Sequence, residues 1–109
     1  MQFYKDSFAK LNNNPKKPIV LLSFGGAGAP APKDVTSDQI ISAIEKLSTI
    51  LDYPIAGIDW DYENSANSSE EVSWMASISA ELKQKKGYII TAAPQSTNFN
   101  WSINRILYF

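Results

Sequence analysis

Ile55-Ala56-Gly57-Ile58-Asp59-Trp60-Asp61-Tyr62-Glu63 reads as one β-strand with two chemically different faces. Strand side chains alternate, so Asp59, Asp61 and Glu63 share one side while Ile58, Trp60 and Tyr62 take the other, which suits packing under helices. Neighbouring acids on the first side lie roughly 6.6 Å apart along the backbone, two steps of strand rise. Helical patterns flank the stretch on both sides. Upstream, Ile40, Ile44, Leu47 and Leu51 repeat at the spacing of one apolar helix face. Thr36 and Gln39 stand at capping-box spacing at its start, and Pro54 marks its end. Downstream, Ser68 and Glu71 make a second capping box, and Val72, Met75, Ile78 and Leu82 carry the next apolar face. Lys85-Lys86-Gly87 closes that helix with cations and a terminal glycine, as the helix dipole and a left-handed cap favour.

Farther out lie two more strands. Residues 18–24, Pro-Ile-Val-Leu-Leu-Ser-Phe, form a continuous apolar run closed by Gly25-Gly26, the pattern of a strand buried on both faces. A third strand spans about Tyr88 to Ala93, before Pro94. Residues 3–12 suit an earlier helix stopped by Asn12-Asn13-Asn14-Pro15, and the tail from Ser96 is too mixed to assign. The resulting order, α-β-α-β-α-β, demands a parallel sheet with helical crossovers. Strand starts near residues 18, 55 and 88 imply about 35 residues per unit, close to the roughly 31 of an eight-fold barrel. An open doubly wound sheet has similar spacing, so the period does not choose between the two.

Composition narrows the chemistry. Of 109 residues, 44% are apolar and 12% aromatic, enough for a packed core rather than disorder. Ten basic and eleven acidic residues are spread along the chain without a basic stripe, which argues against nucleic acid and against electrostatic membrane docking. No apolar run approaches the roughly 20 residues of a membrane span, and the first residues lack a signal-peptide pattern. Cysteine and histidine are both absent, so acid–base chemistry must run on carboxylates, Lys or Tyr. Nothing calls for a cofactor.

Three carboxylates in one row inside a parallel sheet are costly to ionise together, and the expectation is that at least one keeps its proton near neutral pH. The plain alternative is an exposed edge strand with a solvated acidic face, which the intervening Trp60, Tyr62 and Gly57-Ile58 disfavour. A Mg²⁺ or Ca²⁺ site also gathers carboxylates, but no second Asp-rich loop accompanies this strand, so no metal is expected.

At this strand the sequence resembles glycoside hydrolase family 18, the chitinase family, whose signature D-G-x-D-x-D-x-E stands here as Ala56-Gly57-Ile58-Asp59-Trp60-Asp61-Tyr62-Glu63. Ser23-Phe24-Gly25-Gly26 is similar to the S-x-G-G closing the family's third strand, and Thr91-Ala92-Ala93-Pro94-Gln95 to the close of the fifth. The three motifs fall in the right order and cover most of residues 18–95. Ala56 departs from the pattern by replacing its first aspartate; strand parity places position 56 on the face away from the three acids.

The resemblance implies an α/β fold, a partial (β/α)8 TIM barrel in which residues 1–109 form one incomplete catalytic domain of three parallel strands with intervening helices. It also implies substrate-assisted retaining hydrolysis of β-1,4-linked N-acetylglucosamine polymers, an exception to the two-carboxylate scheme. Glu63 would be the proton donor and later the base, Asp61 would orient the 2-acetamido group, and Asp59 would hydrogen-bond Asp61. Ser23, Gly25, Gly26 and Gly57 are expected to be structural, letting backbones approach closely. Trp60 and Trp74 sit on core-facing positions, whereas Trp101, beyond the third strand, is the candidate for stacking on a sugar. Chitin or N-acetylglucosamine oligosaccharide is the expected partner, and the full-length family member is expected to be extracellular.

A relative acting on N-glycan cores, or a lectin-like sugar binder, shares much of this pattern; retention of Glu63 favours an enzyme. The family's sixth-strand tyrosine and last-strand tryptophan have no counterpart in these residues. The chain is therefore expected to be a fragment spanning the third to fifth strands, prone to self-association through exposed barrel edges. A dinucleotide fingerprint is imitated by Gly26-Ala27-Gly28-Ala29-Pro30-Ala31, but Pro30 and Pro32 keep a helix start away from these glycines.

Overall fold

The computed structural model describes residues 1–62 and 69–93. Its elements follow in the order α1 (Gln2–Asn12), β1 (Val20–Gly26), α2 (Ser37–Leu51), β2 (Ile55–Tyr62), α3 (Ser69–Lys86) and β3 (Ile89–Ala92). The strands form one parallel sheet in chain order, β1-β2-β3, with a helix between each consecutive pair. Among the described residues no helix is long and apolar enough to cross a membrane.

Local chemistry explains the bounds of α2. The Thr36 side chain accepts from the Gln39 N–H while the Gln39 side chain accepts from the Thr36 N–H, the complete capping box expected from the sequence. At the other end Asp52 takes a left-handed conformation (φ 50°), and its N–H reaches back to Ser48 and Thr49 carbonyls. The Gly87 N–H likewise closes α3 by donating to the Lys83 carbonyl (2.9 Å). The capping box expected at Ser68 and Glu71 lies in part outside the described residues.

One face of the sheet carries the core. Ile40, Ile44 and Leu51 of α2 and Val72, Met75, Ile78 and Leu82 of α3 pack with Ile58, Trp60 and Tyr62 of β2, all buried. Burial of each such side chain contributes about 1.5–3 kcal/mol. Trp60 is the centre. Its indole N–H donates to Ser79 Oγ (2.8 Å), which in turn donates to the Met75 carbonyl (2.7 Å), so the polar edge of the ring is satisfied inside an apolar layer. Trp74 stands edge-on to Trp60, with centroids 5.3 Å apart, and donates to the Val35 carbonyl (3.0 Å). Both rings belong to the scaffold, as their core-facing positions predict.

One sequence expectation needs correction. The apolar run predicts a β1 buried on both faces, yet none of its residues is fully buried. It lies at one edge of the described sheet, and the described helices cover only one side. A register irregularity lies at Ala56. The β1–β2 register runs Val20↔Ile55 and then Leu21↔Gly57, passing over Ala56. An extra residue of this kind breaks strict alternation, so parity cannot be counted across position 56, and Ile55 joins the buried layer three residues before Ile58.

Helix α1 rests on the α2–β2 turn. Phe8 meets Tyr53 at 5.3 Å between centroids, Asn12 Nδ2 donates to the Asp52 carbonyl (2.6 Å), and the Tyr53 hydroxyl donates to the Pro18 carbonyl. At the outer contact between α2 and α3, Lys86 pairs with Glu45 (2.9 Å) and Lys85 with Asp38 (3.1 Å). Such exposed pairs contribute about 0–1 kcal/mol each.

Candidate active site

On the sheet face away from the helices, register stacks the strands into cross-strand rows. Leu21, Gly57 and Ile89 stand level, then Ser23, Asp59 and Thr91, then Gly25 and Asp61. The second row is hydrogen-bonded through. Ser23 Oγ donates to Asp59 Oδ2 (3.1 Å), and Thr91 Oγ1 donates to Asp59 Oδ1 (2.7 Å). Asp59 thus has one donor from each neighbouring strand, one on each oxygen. Asp61 lies a row closer to the strand ends, and these two hydroxyls serve Asp59 rather than Asp61. Asp59 and Asp61 are both partly exposed. Glu63 and Trp101 lie outside the described residues.

Two glycines make these rows possible. A Cβ on Gly57 would stand 1.9 Å from the Ile89 carbonyl oxygen and 2.7 Å from its nitrogen. Strand β3 can take its register beside β2 only because position 57 has no side chain. Gly25 combines a φ of +124° with a similar approach: its Cβ would lie 2.3 Å from the Asp61 carbonyl oxygen. Any side chain there would push the backbone that carries Asp61. Gly57→Ala should therefore destabilise the chain by about 3 kcal/mol, the upper end of overpacking costs. The change would appear as a lowered midpoint in urea followed by far-ultraviolet circular dichroism. An unchanged midpoint would mean that β3 does not approach position 57 as described.

Tyr62, on the core face beside Trp60 (centroids 6.1 Å apart), has its hydroxyl pKa raised by burial and stays a neutral phenol at physiological pH. The acids therefore have no ionised neighbour on that side of their own strand. Among the described residues, no group of three or more His, Cys, Asp or Glu side chains is placed to hold a metal ion. Between Gly26 and α2 the chain makes a turn, with Ala29 N–H to Gly26 carbonyl at 3.2 Å, and the helix begins only at Ser37. The phosphate-cradle geometry of a dinucleotide site is not formed. An apolar cavity of about 260 Å³ lies at the strand starts, lined by Phe8, Val20, Leu22, Leu47, Leu51 and Ile55. It is at the opposite end of the sheet from Asp61.

In the sequence Ser23 reads as structural and Thr91 as one residue of a motif; the structure brings both hydroxyls onto one carboxylate. The available signal was weak, a small hydroxyl residue level with an acid on each flanking strand, and it can be used only once the register is known. No family model, no curated protein and no solved structure matches the chain.

Proposed function

We propose that residues 18–95 are the third to fifth strands, with the two helices between them, of a (β/α)8 barrel of the family 18 type. Such a barrel would cleave β-1,4-linked N-acetylglucosamine polymers by substrate-assisted retention. The observation that supports this reading best is the unequal pair on β2. Asp59 is engaged by Ser23 and Thr91, while Asp61, on the same face and nearer the C-terminal strand ends, accepts from neither hydroxyl, which among the described residues suits it to meet a ligand. Catalytic groups of parallel barrels sit at those ends.

In this reading the carboxyl of Glu63 gives its proton to the glycosidic oxygen. The 2-acetamido oxygen of the sugar attacks the anomeric carbon as the bond to the leaving group breaks. Asp61 accepts the acetamido N–H and stabilises the positive charge that develops on the oxazolinium ring. Glu63, now a carboxylate, removes a proton from water as the water opens the ring. Asp59 supports Asp61 from below.

The test uses a complete barrel carrying residues 18–95 and two substrates, an N-acetylated fluorogenic chito-oligosaccharide and its de-acetylated counterpart. Only the acetylated substrate should be cleaved, because the other lacks the internal nucleophile. Equal rates on both would rule out substrate assistance.

A further inference from the structure

We propose that Thr91 is a positioning residue that, opposite Ser23, locks the Asp59 carboxylate in one orientation and so keeps Asp61 free for substrate; the catalytic part of this inference rests on the hydrolase reading above. The two donors reach different oxygens from opposite flanking strands, Thr91 Oγ1 to Oδ1 at 2.7 Å and Ser23 Oγ to Oδ2 at 3.1 Å. A carboxylate held from one side can still swing about its side-chain bonds; held from both sides it cannot. Thr91 is the shorter and stiffer clamp, because a β-branched residue in a strand has few rotamers open to it. Its placement follows from the backbone. Thr91 is level with Asp59 in the β2–β3 register, which the bond from the Ala93 N–H to the Trp60 carbonyl (2.9 Å) extends and the bare Cα of Gly57 permits. Each carboxylate oxygen can accept more than one hydrogen bond, so Asp59 can still accept from a further donor while remaining fixed.

The clamp is read without reference to activity by isotope-edited infrared spectroscopy of the full 109-residue chain, with the Asp59 carboxylate band identified by its loss in Asp59→Asn. Thr91→Val keeps shape and removes the donor, so the band should shift and broaden as water takes over that oxygen; Thr91→Ser should restore it. In the complete barrel, Thr91→Val should lower kcat about tenfold with KM within about twofold, and Thr91→Ser should recover most of the loss. An unchanged infrared band in Thr91→Val overturns the clamp, whatever the activity. A shifted band with unaltered kcat in an active barrel overturns the positioning role and leaves Thr91 a strand staple. A barrel that is inactive with Thr91 intact overturns the hydrolase reading and the positioning role with it, and the infrared result then stands alone.

Discussion

Glu63→Gln in a complete barrel carrying this segment should abolish hydrolysis of acetylated chito-oligosaccharides while leaving their binding nearly unchanged. The amide keeps the size and polarity of the carboxyl and loses only the transferable proton. General acid–base catalysis is typically worth about 10²–10⁴-fold, and in the proposed mechanism one group serves both steps. Turnover should fall by at least that factor, measured with a fluorogenic substrate, while titration calorimetry with an unlabelled oligosaccharide should give a Kd within about threefold of the parent, under 1 kcal/mol. Retained turnover would remove Glu63 from the reaction. Loss of binding together with turnover would point to a sugar-binding role for this strand. Glu63 continues the alternation of Asp59 and Asp61 in the sequence, but it lies beyond the last described residue of β2, so its role is carried by the motif alone.

The second large effect is expected from the 109-residue chain by itself: it should self-associate and show no chitinolytic turnover. Among the described residues, the helices cover one face of the sheet, and Ser23, Gly25, Ile89 and Thr91 on the other face are exposed. Ile89 is 41% exposed, and Ile19, just before β1, is 71% exposed. Among the described residues β1 and β3 are both sheet edges, and such edges present backbone groups that can template pairing with another chain. Phe3, 75% exposed on α1, adds a further apolar surface. With net stabilities of only about 5–15 kcal/mol for a folded domain, apolar area left in water is a large fraction of the total. Sedimentation should give a dimer or larger assembly, with a broad thermal transition. A monodisperse monomer with a sharp transition would contradict the argument from open faces, and turnover by that monomer would show that no further barrel strands are needed.

What could be read from the sequence was whatever depends on residues a few positions apart. The start of α2 was legible because Thr36 and Gln39 cap each other within one turn. The inner face of β2 was legible because Ile58, Trp60 and Tyr62 alternate with Asp59 and Asp61 in an unbroken stretch. The lengths of α2 and α3 followed from apolar periodicity and from Pro54 and Gly87, signals that act locally whatever the rest of the chain does.

Tertiary structure alone decided the matters that depend on register. Asp59 finds its donors 36 residues before it and 32 residues after it, and which hydroxyl stands level with which acid is set by how β1 and β3 slide along β2. One residue of slip would turn Ser23 or Thr91 to the other face. The skipped Ala56 shows the same dependence, since a register irregularity there defeats parity counting from sequence. So does the half-buried state of β1, whose apolar run describes what the strand would tolerate, whereas its burial depends on what lies over it. Gly57 joins the two levels. Its place in the motif is visible in the chain, but the reason for it, an Ile89 carbonyl where a side chain would be, exists only after about thirty residues of helix and loop have brought β3 alongside.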